Sequence, residues 1–320
     1  MMDRIPFCSK LPMNEDENMM HCANCGVKEN EDLKLRKCAC HLVRYCSVKC
    51  QKEHRSEHQE ACKKQIAAQR EELLFKQPES SHFGDCPICF LPLPLDERKS
   101  AKMFCCSNKI CHGCSYAFQL HSKQHPVCPY CRAKVAMNQE QTITQLKNRI
   151  KVNDPVAISQ MGSIYFHGGD PKTAKDYWKK ASELGDVGAH FELSCLYRDG
   201  EGVKKNKKKQ MYHLEEAAIG GDPVARNNLA AQFMYTGQDE IAAKHFVIAS
   251  KLGHSGSLDL LGLLYKKKAV SKEDYAAALR GHQAAVEATK SPQRDVGEAS
   301  YFNQNPGLIT AMDLFSKMGI

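Results

Sequence analysis

The sequence predicts a mainly α protein: two small metal-stapled modules, then a C-terminal α/α solenoid of helical-hairpin repeats. Three observations predict it. Sixteen of the 17 cysteines lie in the first 131 of 320 residues. The following 189 residues hold only Cys195 and repeat themselves every 32–36 residues. Apolar positions in that second part recur at helical spacing. A chain of this length divides into two or three domains. A composition of 42% hydrophobic and 26% charged residues excludes disordered and collagen-like classes. No stretch nears the roughly 18 consecutive apolar residues of a spanning helix, so no membrane partner is expected. The first twenty residues, MMDRIPFCSKLPMNEDENMM, have no apolar signal-peptide core. A cytoplasmic or nuclear location follows as the expectation. Thiols stay reduced there, and metal binding explains so many cysteines.

In chain order, residues 1–21 read as a flexible tail rich in Met and polar residues. Residues 22–62 hold the first cysteine cluster. Residues 63–85 form a connector: KKQIAAQREELLF has Ile66, Leu73 and Leu74 at helical spacing, and KQPESSHFG is turn-rich. Residues 86–132 hold the second cluster, residues 142–290 the repeats, and residues 291–320 a C-terminal tail.

The first cluster runs Cys22-x2-Cys25, Cys38-x-Cys40, Cys46-x3-Cys50, His58-x3-Cys62. Eight sulfur and imidazole donors suffice for two closed tetrahedral zinc sites. A helix would put His58 and Cys62 on one face. The order resembles the MYND zinc finger, most specifically in Tyr45-Cys46-Ser47-x2-Cys50-Gln51 and His58-x3-Cys62. The resemblance implies interleaved sites: Cys22, Cys25, Cys46 and Cys50 on one zinc, and Cys38, Cys40, His58 and Cys62 on the other. The middle pair is C-x-C where the family usually has C-x-x-C, which leaves His41 as an alternative to Cys40. The family often binds short proline-containing peptides partly through a Trp surface; Arg55 stands at that position here.

The second cluster runs Cys86-Pro-Ile-Cys89, Cys105-Cys106, Cys111-x2-Cys114, Cys128-Pro-Tyr-Cys131-Arg132. Eight cysteines again make two zinc sites. The order resembles a RING finger of the all-cysteine kind. That resemblance implies a cross-brace: Cys86, Cys89, Cys111 and Cys114 on one zinc, and Cys105, Cys106, Cys128 and Cys131 on the other. His112, His121 or Asn108 are alternatives to one of the adjacent pair Cys105 and Cys106. Tyr116 to Ser122 reads as a short helix, and His125-Pro126-Val127 stands where the family frequently has a Trp. RING fingers commonly dock a ubiquitin-conjugating enzyme and hold its ubiquitin thioester in a reactive pose, which is catalysis by positioning. By the resemblance, Ile88, Pro129 and Arg132 match the docking positions. Guanidinium suits the last because its donors are planar and always charged.

The repeats align on Ala157, Ala189, Ala225 and Ser257, offset by 32, 36 and 32. Met161, Leu193, Leu229 and Leu261 keep those offsets, as do Tyr165, Tyr197, Phe233 and Tyr265. A second helix in each unit carries positions seven apart: Ala174 and Ala181, Gln210 and Ala217, Ala242 and Ala249, Ala277 and Ala284. Glycines separate the helices, at Gly168 and Gly200 within units and at Gly185, Gly221 and Gly253 between them. Such a period marks an α-solenoid, whose hairpins bury their apolar faces only by stacking. The pattern A-x-x-x-[LM]-[GSA]-x-x-[YF]-x-x-G resembles the Sel1-like repeat, a relative of the tetratricopeptide repeat, in four units from 154 to about 290. Residues 142–152 read as a degenerate capping helix with Ile143, Leu146 and Ile150 on one face. Cys195 reads as core.

The formal charge of +8 gives no ground for a nucleic-acid partner. Fifteen ligand thiolates add fifteen negative charges and four Zn2+ ions add eight positive ones, leaving +1. The local run Lys204, Lys205, Lys207, Lys208 and Lys209 reads as a solvated loop. Four zinc ions per chain are expected. The leading functional expectation is a RING-type ubiquitin ligase, a transferase that recruits its protein substrate through the repeats or the MYND finger. The alternative is a non-enzymatic protein–protein interaction adaptor with structural zinc, binding protein or peptide partners on the repeats.

Overall fold

The computed structural model describes residues 21–121 and 127–304. Residues 1–20 of the expected tail, Cys8 among them, therefore lie outside the described residues, as do Ser122, His125, Pro126 and the stretch 305–320. The chain divides into two compact units between Lys76 and Gln77. Among the described residues there are 13 α-helices and two small two-stranded sheets. No described helix is long and apolar enough to cross a membrane.

The first unit is built around cysteines. Strands β1 (Arg36–Lys37) and β2 (Arg44–Tyr45) pair antiparallel, with Arg36 opposite Tyr45. Helix α1 (Val48–Glu53) starts at Ser47, whose hydroxyl accepts from the Cys50 backbone N–H at 3.2 Å. Helix α2 (Arg55–Phe75) follows directly. The buried core is Cys22, Leu35, Cys38, Cys40, Tyr45 and Cys50. Ordering a chain costs about 1–2 kcal/mol per residue in backbone entropy. Leu35 and Tyr45 alone cannot offset that for a module spanning 22–62, so metal must supply folding energy. The connector differs from expectation. Its helical part is the continuation of the ligand-bearing helix, because no Gly or Pro interrupts residues 55–75. The helix stops before Pro78, at extended Lys76.

The second unit begins with a loop in which Asp85 bridges to Pro92. A 3-10 turn at Glu97–Lys99 leads into the hairpin β3 (Ser100–Met103) and β4 (Asn108–Cys111), with Ser100 opposite Cys111. Helix α3 (His112–His121) starts four residues earlier than the expected Tyr116 and so includes Cys114. The module's core is Cys86, Leu93, Met103, Ile110, Cys111, Cys114 and Cys128.

Ten further helices follow: α4 (Gln139–Ile150), α5 (Pro155–His167), α6 (Pro171–Glu183), α7 (Val187–Asp199), α8 (Lys207–Ile219), α9 (Pro223–Tyr235), α10 (Asp239–Lys251), α11 (Ser255–Lys266), α12 (Lys272–Ala288) and α13 (Pro292–Gln304). Helices α5 to α12 form the four expected hairpins. Ala157, Ala189, Ala225 and Ser257 are fully buried, and Met161, Leu193, Leu229 and Leu261 are buried beside them. Each predicted aromatic position stacks on a ring of the second helix: Tyr165 on Tyr177, Tyr197 on His213, Phe233 on His245 and Tyr265 on Tyr275. Their centroids lie 4.8–5.7 Å apart and their planes within 16°. The units share one further position. Asp154, Asp186 and Asp222 cap α5, α7 and α9 through their carboxylates, and His254 caps α11. Helix α4 packs on α5 through fully buried Leu146, as expected of a cap, but starts at Gln139 rather than 142.

Three expectations shift. In the fourth unit Ala278 is buried in place of Ala277, while Ala284 is exposed, because the longer α12 meets α11 in another register. Lys207, Lys208 and Lys209 are the first turn of α8 rather than loop, since Asn206 caps the helix there. The segment 291–320 is not all tail. Helix α13 packs against α3, where Gly113 and Gly297 touch: a Cβ on Gly297 would lie 2.6 Å from the Gly113 Cα. A lone helix docked through glycine carries no apolar stripe to betray it.

The second cysteine module is not a separate bead on the solenoid. The His82 N–H donates to the Gly221 carbonyl between α8 and α9 at 3.0 Å. Phe104 packs into the cluster of Leu146, Ala157 and Met161.

Candidate metal centres

The backbone first sets five pairs of donors. In C-x-x-C segments the N–H after the second cysteine closes back on the first cysteine's carbonyl: Gly26 on Cys22 (2.8 Å), Phe90 on Cys86 (2.9 Å) and Arg132 on Cys128 (3.0 Å). The residue after the pair is left-handed in every case, as it is at His41 after Cys40 and Ser107 after Cys106. Four of these five positions carry a side chain. Such residues cost on the order of 1–3 kcal/mol each unless their surroundings hold them. The other three pairs are set at helices: Cys46 and Cys50 flank the start of α1, His58 and Cys62 lie one turn apart on α2, and Cys111 ends β4 just before α3, which carries Cys114 in its first turn.

These pairs come together as four groups of four. They are Cys22, Cys25, Cys46 and Cys50; Cys38, Cys40, His58 and Cys62; Cys86, Cys89, Cys111 and Cys114; and Cys105, Cys106, Cys128 and Cys131. Within each, all donor atoms lie within 4.8 Å of one another. A zinc tetrahedron with bonds near 2.3 Å has S–S edges of about 3.8 Å. The sulfurs of Cys25 and Cys46 are 3.5 Å apart, Cys38 and Cys62 3.6 Å, Cys89 and Cys111 3.8 Å, and Cys106 and Cys128 3.8 Å. The Cys40 sulfur is 3.0 Å from the His58 Nε2. These cysteines are free thiols. The donor sets fit Zn2+ in number, type and spacing, and the chain is zinc-binding.

Electrostatics supports the same fit. A hydrogen bond from the Cys111 thiol holds Cys86 down to about 4, while that bond and burial push Cys111 up. Burial drives Cys40 and Cys114 up to about 12, and Cys46 reaches about 12 through its hydrogen bond with Cys50. Four thiolates in one coordination sphere ionise together only around a dication.

The alternative donors lie elsewhere. His41 is the left-handed residue that turns the chain after Cys40. The His112 Nε2 is 2.6 Å from the Arg98 carbonyl, and its ring stacks on Tyr301. The Asn108 amide reaches the Cys106 carbonyl at 3.5 Å, and His121 is exposed at the end of α3.

The three docking candidates separate. Ile88 is 38% exposed, and Arg132 is exposed with its guanidinium carbon 4.5 Å from the centroid of the Phe118 ring. Pro129 is buried beside fully buried Cys128 and offers little contact area. The exposed apolar side chains nearest these ligands are instead Phe90 at 76% and Tyr130 at 52%. Sequence reasoning missed both, although each neighbours a ligand cysteine. It also missed Arg294 of α13, whose Nη2 lies 3.3 Å from the Cys89 sulfur.

Comparison with known proteins agrees with part of this organisation. The family model described as MYND finger matches residues 22–62, and the Sel1 repeat model matches 155–186 and 187–222. The chain thus carries a MYND finger and Sel1 repeats. No curated protein matches it. A crystallised Sel1 repeat protein from Oxalobacter formigenes is 21% identical, with a TM-score of 0.41, over 53% of this chain and 79% of its own. A protective antigen present in uropathogenic Escherichia coli strains, displaying an SLR fold, is 22% identical with a TM-score of 0.39. That match covers 53% of this chain and 37% of the antigen.

Proposed function

We propose that this chain is a protein-interaction adaptor in which four zinc ions hold two modules in shape and the repeats present the partner surface. One observation carries the reading: each donor group offers four protein ligands. Zinc uses such closed sets structurally, whereas catalytic zinc keeps a position for water or substrate. The ligands are the sixteen residues of the four groups. Stacked hairpins offer an extended surface for a polypeptide partner. Exposed Tyr165, Tyr235 and Tyr265 on α5, α9 and α11 are suited to one, since tyrosine gives large contact area at small entropy cost. Free thiols in this number suit a reducing compartment, cytoplasm or nucleus.

A second reading has its own support. The second cluster interleaves its pairs as a cross-brace, and Ile88, Phe90, Tyr130 and Arg132 are solvent-facing next to the ligands. That arrangement suits docking of a ubiquitin-conjugating enzyme, and on this second reading the chain acts as a RING-type ligase. Incubating the zinc-loaded chain with ubiquitin, activating enzyme and a panel of conjugating enzymes separates the two. The adaptor reading expects no ubiquitin chains with any partner. Chains that disappear in Ile88→Ala and Arg132→Ala would overturn it in favour of the ligase.

A further inference from the structure

Arg294 lies on α13, some 200 residues after the cysteines it touches, and is only 2% exposed. Its guanidinium donates to four acceptors. Nη1 reaches the Pro92 carbonyl at 2.6 Å and the Thr289 carbonyl at 2.7 Å. Nη2 reaches the Leu91 carbonyl at 2.9 Å and the Cys89 sulfur at 3.3 Å. None of these acceptors is a carboxylate. A buried cation is costly unless a negative charge compensates it. The group Cys86, Cys89, Cys111 and Cys114 supplies that charge, because four thiolates around one Zn2+ carry a net charge of −2.

The helix bearing Arg294 is held firmly at this spot. Gly113 and Gly297 allow α3 and α13 to touch at backbone distance. Lys99 pairs with Glu298 at 2.8 Å. Tyr301 stacks on His112 with centroids 4.0 Å apart, and the Gln293 amide donates to the Gly113 carbonyl at 3.3 Å. His112 and Gly113 lie between Cys111 and Cys114, so two ligands of the group are braced from α13 while Arg294 braces a third.

We propose that Arg294 is the outer-shell cation of this one zinc site: it hydrogen-bonds the Cys89 thiolate and fixes the 86–92 knuckle, so that retention of the ion depends on α13. The inference rests on the second cluster holding zinc. Partners of this kind are worth about 10–100-fold in metal affinity. A positively charged fork that engages a carbonyl pair and a sulfur together is not replaced by an ammonium.

The test uses the full chain loaded with zinc and an excess of a chromogenic chelator, with released ions counted over time. Arg294→Gln is expected to release one ion about 10–100-fold faster while the other three keep wild-type rates. Arg294→Lys should lie in between. Gly297→Val keeps the guanidinium but blocks the approach of α13, and should reproduce the single fast ion. In the cobalt-substituted chain, Arg294→Gln should shift the sulfur-to-cobalt charge-transfer band of one site in four, which a mere loss of packing would not do. Wild-type release rates in both Arg294→Gln and Gly297→Val, with an unshifted cobalt spectrum, would overturn the proposal. If Arg294→Gln fails to fold, Arg294→Lys and Gly297→Val decide by the same rates. A wild-type chain holding two zinc ions or fewer would instead sink the metal sites themselves.

Discussion

Replacing Gly162 by alanine sets two well-known effects against each other. Gly162 lies inside α5, and in a helix interior alanine is favoured over glycine by about 1 kcal/mol. On propensity alone, Gly162→Ala should stabilise the repeats. Packing argues the reverse. The new Cβ would lie 2.7 Å from the Trp178 Nε1 and 2.8 Å from its Cδ1, closer than van der Waals contact allows. The indole cannot easily yield. It is 1% exposed, wedged among Ile158, Ala174, Ala181, Ala189 and Leu193, and its N–H donates to the Ser159 carbonyl at 3.0 Å. Overfilling a close-packed core costs about 1–3 kcal/mol, and a displaced indole weakens a hydrogen bond worth about 1 kcal/mol. The balance is a net loss of about 1–3 kcal/mol, or a melting temperature lower by about 3–10 °C for a unit of this size. Trp178 is the only tryptophan of the chain, so its emission reports the surroundings of this one indole. Thermal unfolding followed by tryptophan fluorescence and by helical circular dichroism is the assay. In a Trp178→Leu background, read by circular dichroism, the same substitution should turn stabilising by up to about 1 kcal/mol as propensity acts alone. A higher melting temperature for Gly162→Ala in the wild-type chain would refute the reasoning.

Other outcomes follow from the same structure. Elemental analysis should find four zinc ions per chain, and strong chelation should unfold residues 22–62. It should also remove hydrogen-exchange protection from α3 and α13 but spare α9 to α12, since only the former pair packs on cysteine ligands. The repeats should lose stability in acid: burial holds His213 and His245 down to about 3, well below the ordinary histidine value of about 6.5. The unfolded chain binds protons that the folded one refuses, so stability is full above about pH 6.5 and falls as pH drops toward 3. Comparing melting temperatures of wild type with His213→Phe and His245→Phe at pH 7 and pH 5 isolates that part, and equal drops would contradict it. Asp222→Ala removes a 4% exposed cap that accepts from the Val224 and Ala225 N–H groups at 2.8 and 3.0 Å, and should cost about 1–2 kcal/mol in denaturant unfolding.

What the sequence displayed was whatever repeats or is spaced. The hairpin frame was legible at Ala157, Met161 and Tyr165 because stacking demands the same side chain once per unit. The cysteine order was legible because two donors must leave each short turn toward one metal. The capping position was equally periodic, Asp154 to Asp186 to Asp222, yet went unread because it lies outside the apolar pattern. What depended on tertiary approach left no local sign. Pro129 looked like a contact residue, but it is buried while its neighbour Tyr130 in the same segment is exposed, and spacing does not say which of the two faces solvent. The ring partners divide between two residue types, Tyr177 and Tyr275 against His213 and His245, so no single side chain repeats there. Arg294 sits in a polar helix with nothing nearby in sequence to name its acceptor.

The seat of α13 also bears on how the protein is made. Cys89 leaves the ribosome long before Arg294, and the whole run of repeats is synthesised between them. At about 5–20 residues per second that interval is roughly 10–40 s. Throughout it the nascent knuckle lacks its late partner, and its thiols stay open to exchange with other metals or to oxidation. The closing contact therefore acts as a late step of assembly, reached only by chains whose repeats have been completed.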